Sequence, residues 1–232
     1  MRDDVTIILC TNDARDKSLL ARARASAEGQ AQIILADNGS HGQRRCHWVW
    51  WGAIYEATTP LVAMLFDDDW LEPHYIATLA RELESADVAY AWSNALIHFP
   101  DGHTRMNFDM DPGRHEMSIE NMFGVLQGLT YSLATDCLMM RRADALTCLL
   151  PGGAPAGGFR DPLGGVDACF ALLPLLTTKY HRVVAFGDPL VHLGAGEDSC
   201  TIDAMADPEK NARLVAGYDE ARRFAAKLAG AV

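Results

Sequence analysis

The sequence predicts an α/β domain with a mostly parallel central sheet flanked by helices. Short apolar runs rich in β-branched residues alternate with longer segments of helical composition. Each apolar run ends in polar turn residues, and the spacing between runs leaves room for one crossover helix. Such alternation is typical of parallel strands joined by right-handed crossovers.

The first half of the chain contains the most regular pattern. Continuous apolar runs, typical of strands buried on both faces of a sheet, predict strands over residues 5–10, 33–36, 61–66 and 88–92. Helices are predicted between them, over residues 17–27, about 44–57, and from near Pro73 to Glu84. Gly29 and Pro60 end the first two of these helices.

The second half of the chain is less regular. Residues 94–128 are rich in His, Asp, Gly, Met and Asn and are predicted as loops. Residues 150–165 are rich in Gly and Pro and are predicted as a flexible loop and candidate lid. The remaining predicted elements are strands over 133–140 and 183–186 and helices over 166–177 and 208–229.

Composition indicates a folded domain that does not bind nucleic acid. The 232 residues suffice for one domain with a substantial core. A formal net charge of −11 opposes binding to nucleic-acid phosphates, which requires a basic surface. The six cysteines are scattered without zinc-ligand spacing, and no apolar stretch approaches a bilayer span or a secretory signal. We therefore expect a cytoplasmic location; peripheral attachment at the inner face of the membrane and the oligomeric state stay open.

Carboxylates follow each of the first three predicted strands. Asp13 follows the first strand, Asp37 the second, and the run Asp67-Asp68-Asp69 the third. The carboxyl ends of parallel strands form the ligand-binding edge of such sheets, and gathered like charges require a cation or donor groups to offset them. Because Mn²⁺ and Mg²⁺ prefer carboxylate oxygens, the run is a candidate metal site beside phosphates. The alternative is that Asp68 or Asp69 caps the following helix.

Three segments resemble the family-2 inverting glycosyltransferases, whose GT-A fold is a Rossmann-like single domain. They are VTIILCTND at 5–13, QIILADNGS at 32–40 and EATTPLVAMLFDDDWLEP at 56–73. Their order and spacing resemble the family's first strand, its Asp-x-Gly-Ser strand end and its Asp-x-Asp (DXD) segment. The resemblance implies one GT-A domain over 1–232, with a nucleotide-sugar and metal half (1–95), an acceptor-binding and catalytic half (96–200) and a helical tail (201–232).

The resemblance also implies an activity. It is the metal-dependent transfer, with inversion, of a sugar from a nucleotide-diphosphate sugar to an acceptor hydroxyl. The first expected donor is a UDP-sugar, the acceptor is a glycan, a lipid-linked sugar or a small molecule, and the cofactor is Mn²⁺ or Mg²⁺. The resemblance implies that Thr11 and Asp13 border the nucleotide base and that Asp37 accepts a hydrogen bond from its ring nitrogen.

Two alignments of the acidic run with the family motif stay open. In one, Asp67 and Asp69 flank the metal and the donor phosphates. In the other, which is aligned on residues 70–73, Asp68 and Asp69 are the matching pair and Phe66 stands where the first family Asp would be. All three aspartates are therefore candidates for donor or metal binding.

Two later segments complete the resemblance. GGVDACFALL at 164–173 resembles the helix start that carries the family's Glu-Asp pair, so Asp167 is the implied catalytic base, with Val166 in place of the Glu. A helix N-terminus also favours Asp for electrostatic reasons alone. PLVHLGAGEDSCT at 189–201 resembles the last family strand, and its His192 is a candidate ligand of metal or phosphate, or else a packed core histidine.

Two other functions compete with the transferase. A catalytically inactive nucleotide-sugar-binding domain would account for Val166. A sugar-phosphate nucleotidyltransferase would place nucleotide and metal on the same edge, but its first loop, rich in glycine and basic residues, is missing after Cys10.

Overall fold

A nine-stranded mixed sheet lies at the centre of the computed structural model, which describes residues 1–13, 15–41, 46–129, 133–148, 168–195 and 207–230. The strands are β1 (Arg2–Thr11), β2 (Ala31–Asp37), β3 (Leu61–Phe66), β4 (Trp70–Leu71), β5 (Val88–His98), β6 (Thr104–Met106), β7 (Arg114–Ser118), β8 (Leu138–Arg141) and β9 (Arg182–Gly194). The helices are α1 (Lys17–Ala27), α2 (Cys46–Glu56), α3 (Tyr75–Glu82), α4 (Ile119–Gly128), α5 (Arg142–Cys148) and α6 (Pro208–Ala229).

The central sheet is mostly parallel, as the sequence predicts. Its strand order is β2-β1-β3-β8-β5-β9-β4, with β6 on β5 and β7 on β9. Along this path β2, β1, β3, β5 and β9 point the same way, whereas β8 and β4 run against them. The antiparallel strand β8, inserted between β3 and β5, separates the two parallel groups.

Both faces of the central strands are buried, which explains their continuous apolar runs. Side chains alternate between the faces with a period of two. Ile8 and Met64 pack in one layer with α2, α4 and α6, and Ile7 and Leu65 pack in the other with α1 and α3. The sheet therefore has a helical layer on each side, and its strand ends are held between two cores.

The predicted loop over residues 94–128 is wrong, because much of it is regular structure. Strand β5 continues to His98 and is followed by β6, β7 and α4. Asn94 lies inside β5 and is fully buried; its amide donates to Phe108 O at 2.8 Å, and its carbonyl accepts from Phe108 N at 3.0 Å. A buried polar residue whose bonds are satisfied interrupts the apolar pattern without ending the strand.

Other elements in the same half of the chain have bounds that differ from the predicted ones. The strand predicted over 133–140 begins only at Leu138, because a 3-10 turn over Thr135–Cys137 precedes it, and the strand predicted over 183–186 extends to Arg182–Gly194. The helix predicted over 166–177 is described over 168–172 and continues as a 3-10 turn, Leu173–Leu176. The predicted lid at 150–165 lies outside the described residues. None of the described helices combines the length and apolar character needed to cross a membrane.

Leu65 and Leu35 give a matched test of the two-faced core, because both pair with Leu9 in the sheet. Leu65 is fully buried, whereas Leu35 is 48% exposed. We expect Leu65→Ala to lower the free energy of unfolding by about 2–5 kcal/mol, because it opens a cavity. Leu35→Ala should lower it by about 1 kcal/mol or less. Urea unfolding followed by circular dichroism measures both, and equal losses would contradict this burial pattern.

Candidate functional site

The carboxyl ends of β1, β2 and β3 lie side by side. In the ladder Thr11 pairs with Asp37, and Cys10 pairs with Phe66, the residue before the acidic run. The Thr11 hydroxyl donates to Asp67 Oδ2 at 2.7 Å. The three strand ends that the sequence singles out therefore meet at one edge of the sheet.

Asp13 and Asp37 are exposed on either side of one turn at this edge. The backbone N–H of Asp13 donates to Gly39 O at 3.0 Å, and Asp37 Oδ1 accepts from the Gly39 N–H at 2.8 Å. The backbone N–H of Asn38 donates to Thr11 O at 2.9 Å, which joins the turn to β1. Gly39 thus holds the backbone of Asp13 and the side chain of Asp37, and both aspartates stay exposed to solvent.

The guanidinium of Arg15 bridges Asp67 and Asp68. Its Nε lies 3.2 Å from Asp67 Oδ1, and its Nη2 lies 3.0 Å from Asp68 Oδ2. The three side chains are only 13%, 4% and 13% exposed. Burial raises the pKa of Asp67 and of Asp68, and the positive charge of Arg15 offsets part of that rise.

The third carboxyl of the run, Asp69, faces into the protein. Its Oδ1 accepts from the Gly194 N–H at 2.7 Å. The neighbouring Asp136 is 1% exposed, and within the described part of the chain neither of its carboxyl oxygens has a donor of good geometry. Burial raises the pKa of Asp69 well above its usual value, and the Asp136 carboxyl beside it raises that pKa further. Two buried carboxyls so close are stable when they share one proton.

Two contacts fix the backbone of the run. A Cβ on Gly194 would lie 2.3 Å from Asp68 O, so the end of β9 approaches the run closely enough to require glycine. Arg22 of α1 donates through Nη2 to the same oxygen at 2.7 Å, and its guanidinium lies 3.8 Å from the centroid of the Trp70 ring. The run is therefore held from both sides by protein groups.

His192, the predicted metal or phosphate ligand, lies in a polar and aromatic cluster beside the run. Its Nε2 is 2.7 Å from Glu72 Oε1, and its Nδ1 is 2.9 Å from His98 Nε2. Its ring stacks on Trp70, with 4.9 Å between the centroids. Since both ring nitrogens have protein partners, ligation of a metal would replace one of these contacts. The assignment of His192 as a ligand stays a prediction.

A divalent cation suits the first two carboxylates of the run, Asp67 and Asp68. Within the described ranges, no three His, Cys, Asp or Glu side chains are grouped as a metal site. Two carboxylates together with substrate phosphates are enough for Mg²⁺, however. Asp67 and Asp68 provide such oxygens and already converge on one positive group. The donor set therefore fits Mn²⁺ or Mg²⁺.

Some residues of the candidate site are identified only from the sequence, and others only from the structure. Asp167, the predicted base, lies outside the described residues. The sequence does not identify Arg15, which carries no local motif, or Asp136, which lies in a segment predicted as a strand. A lone Asp among the apolar residues of 133–140 was the signal that could have identified the second of these.

Comparison with known proteins supports the architecture. No family model matches the chain, and no curated protein matches it significantly. The chain is similar to the crystal structure of S. aureus TarS 1–349 in complex with UDP-GlcNAc, with a TM-score of 0.55 and 11% identity over 84% of this chain and 60% of that chain. The chain has a GT-A fold.

Two further TarS 1–349 structures agree. One matches with a TM-score of 0.55 and 12% identity over 93% of this chain and 70% of that chain. The other, in complex with UDP, matches with a TM-score of 0.55 and 11% identity over 91% of this chain and 63% of that chain. At such identities the similarity establishes the GT-A fold but not the activity.

Asp136→Asn tests the shared-proton pair. Burial raises the pKa of both Asp69 and Asp136, so the folded chain keeps a proton that the unfolded chain loses above about pH 4. Stability therefore falls as the pH rises from that value through the raised pKa. The asparagine amide can donate to an ionised Asp69, so the variant should lose less stability than the wild type between about pH 5 and pH 8.

The measurement is the midpoint of urea unfolding of the wild type and of Asp136→Asn at about pH 5 and about pH 8. Asp109→Asn, which changes an exposed carboxyl, is the control and should follow the wild type. Parallel losses in all three proteins would contradict the shared proton.

Proposed function

We propose that the chain is a glycosyltransferase that moves a sugar from a nucleotide-diphosphate sugar to an acceptor hydroxyl. The observation that carries this proposal is the meeting of Thr11, Asp37 and the acidic run at the carboxyl edge of a GT-A sheet. Ligands of open α/β sheets bind at that edge. The TarS structure with UDP-GlcNAc makes a UDP-sugar the first donor to test.

The base of the donor would lie between Asp13 and Asp37. Asp37 is exposed, and its bond to the Gly39 N–H orients the carboxylate while leaving it further acceptor capacity. That capacity suits the ring N–H of a nucleotide base. Thr11, whose hydroxyl already reaches Asp67, would border the base on the side of β1.

The donor phosphates would lie beside Asp67 and Asp68, which would hold Mn²⁺ or Mg²⁺ between their carboxylates. When bound, the ion supplies Lewis-acid neutralisation of the departing nucleoside diphosphate. Asp69 and His192 are also predicted ligands, but burial and the Asp136 carboxyl raise the pKa of Asp69, which opposes the ionised form that a metal needs, and both ring nitrogens of His192 have protein partners. We therefore propose Asp67 and Asp68 as the primary pair.

Asp167 would act as the base on the acceptor. It takes the proton of the acceptor hydroxyl while that oxygen forms its bond to the anomeric carbon and the bond to the diphosphate breaks. Attack from the face opposite the leaving group inverts the sugar in one displacement. Holding acceptor and donor in line is the larger part of such catalysis.

Asp37→Asn tests the assignment of the base site. Calorimetry with a panel of nucleoside diphosphates and Mn²⁺ should find at least one that binds. The variant keeps an oxygen for the Gly39 N–H but loses the charge, so affinity should fall about 10- to 100-fold. Asp109→Asn should bind like the wild type. If no nucleoside diphosphate binds the wild type, the proposal is overturned.

Asp167→Asn tests the catalytic assignment. Transfer should fall by about 10²- to 10⁴-fold, as for loss of a general base, while calorimetry shows unchanged donor binding. The assay is release of nucleoside diphosphate from the donor, with and without acceptors. A variant as active as the wild type would rule out Asp167 as the base. A wild type that binds donors and turns none over would favour the inactive binding domain, for which Val166 is the argument.

A further inference from the structure

Arg15 occupies the position that the proposed function gives to a divalent ion. It lies in the loop between β1 and α1, and its two nitrogens each contact a different carboxylate of the run. A guanidinium that bridges two largely buried carboxylates supplies the positive charge they require. The contacts of Asp67 and Asp68 are thus compatible with one cation between them, which in the structure is a side chain.

A second arginine beside the acidic run, Arg22, has a structural role. Arg22 extends from the helix α1, donates to the backbone oxygen of Asp68 and covers the Trp70 ring. These contacts are to a backbone oxygen and an aromatic ring, so they position the backbone of the run rather than its carboxylates. Arg15 contacts the carboxylates themselves from a loop, so the two arginines have different tasks.

Arg15 and a divalent ion compete for the same two carboxylates. Both are positive and both bind the same two carboxylates, so their mutual repulsion favours departure of the guanidinium when an ion enters. The diphosphate of a donor is the partner that can receive it, because guanidinium groups bind phosphate oxygens through paired hydrogen bonds. Rotation of one side chain would transfer Arg15 from the carboxylates to the phosphates.

We infer that Arg15 is a built-in counter-ion that prevents metal binding until a nucleoside diphosphate draws it away, so that metal and nucleotide bind together. This inference rests on the proposed function. It requires that the nucleotide raise the metal affinity and, by linkage, that the metal raise the nucleotide affinity by the same factor.

The test measures Mn²⁺ binding to the full chain without nucleotide, from the electron paramagnetic resonance signal of free Mn²⁺. Wild type should bind Mn²⁺ weakly, and addition of UDP should strengthen that binding. Arg15→Met, which removes the competing charge, should bind Mn²⁺ about 5- to 150-fold more tightly than the wild type in the absence of UDP. In Arg15→Met, UDP should then increase the Mn²⁺ affinity by a smaller factor than in the wild type.

Two control variants distinguish competition between Arg15 and Mn²⁺ from a general effect of net charge on Mn²⁺ binding. Arg24→Met removes the same charge from the exposed face of α1, where Arg24 pairs with Glu28 at 3.1 Å, and should leave Mn²⁺ binding unchanged. Arg15→Lys keeps the charge at the site and should bind Mn²⁺ nearly as weakly as the wild type. If Arg15→Met does not fold, Arg15→Gln gives the same comparison, since it keeps an amide donor and removes the charge.

The outcomes separate the inference from the proposed function. Equal Mn²⁺ affinity in the wild type and the uncharged Arg15 variant would overturn the inference even where UDP binds. Failure of every nucleoside diphosphate to bind would overturn the proposed function, whatever the nucleotide-free Mn²⁺ comparison shows. Tighter Mn²⁺ binding in the uncharged variant alone, together with coupling to UDP in the wild type, supports both.

Discussion

Repulsion among three adjacent carboxyls at a buried strand end is the constraint on which the site depends. Ionised groups withdrawn from water are stable only when paired or protonated. Each aspartate meets this requirement in its own way. Asp67 has the Thr11 hydroxyl and Arg15, Asp68 has Arg15, and Asp69 has the Gly194 N–H and the Asp136 carboxyl beside it. The chemistry available to each residue follows from these partners.

Two irregular features of the fold lie beside these carboxyls. The 3-10 turn Thr135–Cys137, which delays the start of β8, carries Asp136 to Asp69, and the buried Tyr75 hydroxyl donates to Asp136 O at 2.8 Å. Strand β9 ends in a glycine because its last residue contacts the run. The 3-10 turn therefore places the Asp136 carboxyl beside Asp69, and the end of β9 places the Gly194 N–H on the same residue.

Local signals predicted the regular elements well and the partners of the site poorly. The helices α1 and α6 and the strand β3 have the predicted bounds, because apolar runs, periodicity and terminal Gly or Pro residues are properties of neighbouring positions. The acidic strand ends were predictable for the same reason. Arg15 reaches Asp68 across 53 positions, and Asn94 is satisfied inside a strand by a later loop. Such contacts depend on the folded topology, which no local pattern encodes.

The inequivalence of the three aspartates bears on the two alignments that the motif allows. Both alignments use Asp69, yet Asp69 is the residue whose ionisation for a metal is opposed by burial and by the Asp136 carboxyl beside it. Asp67 and Asp68 would exchange one cation for another, which leaves their number of charged contacts unchanged. Replacing a guanidinium with a divalent ion is the smaller rearrangement, because the carboxylates already converge. On this argument Asp69 maintains the geometry of the run, and the two residues before it are the pair that we propose to meet the donor.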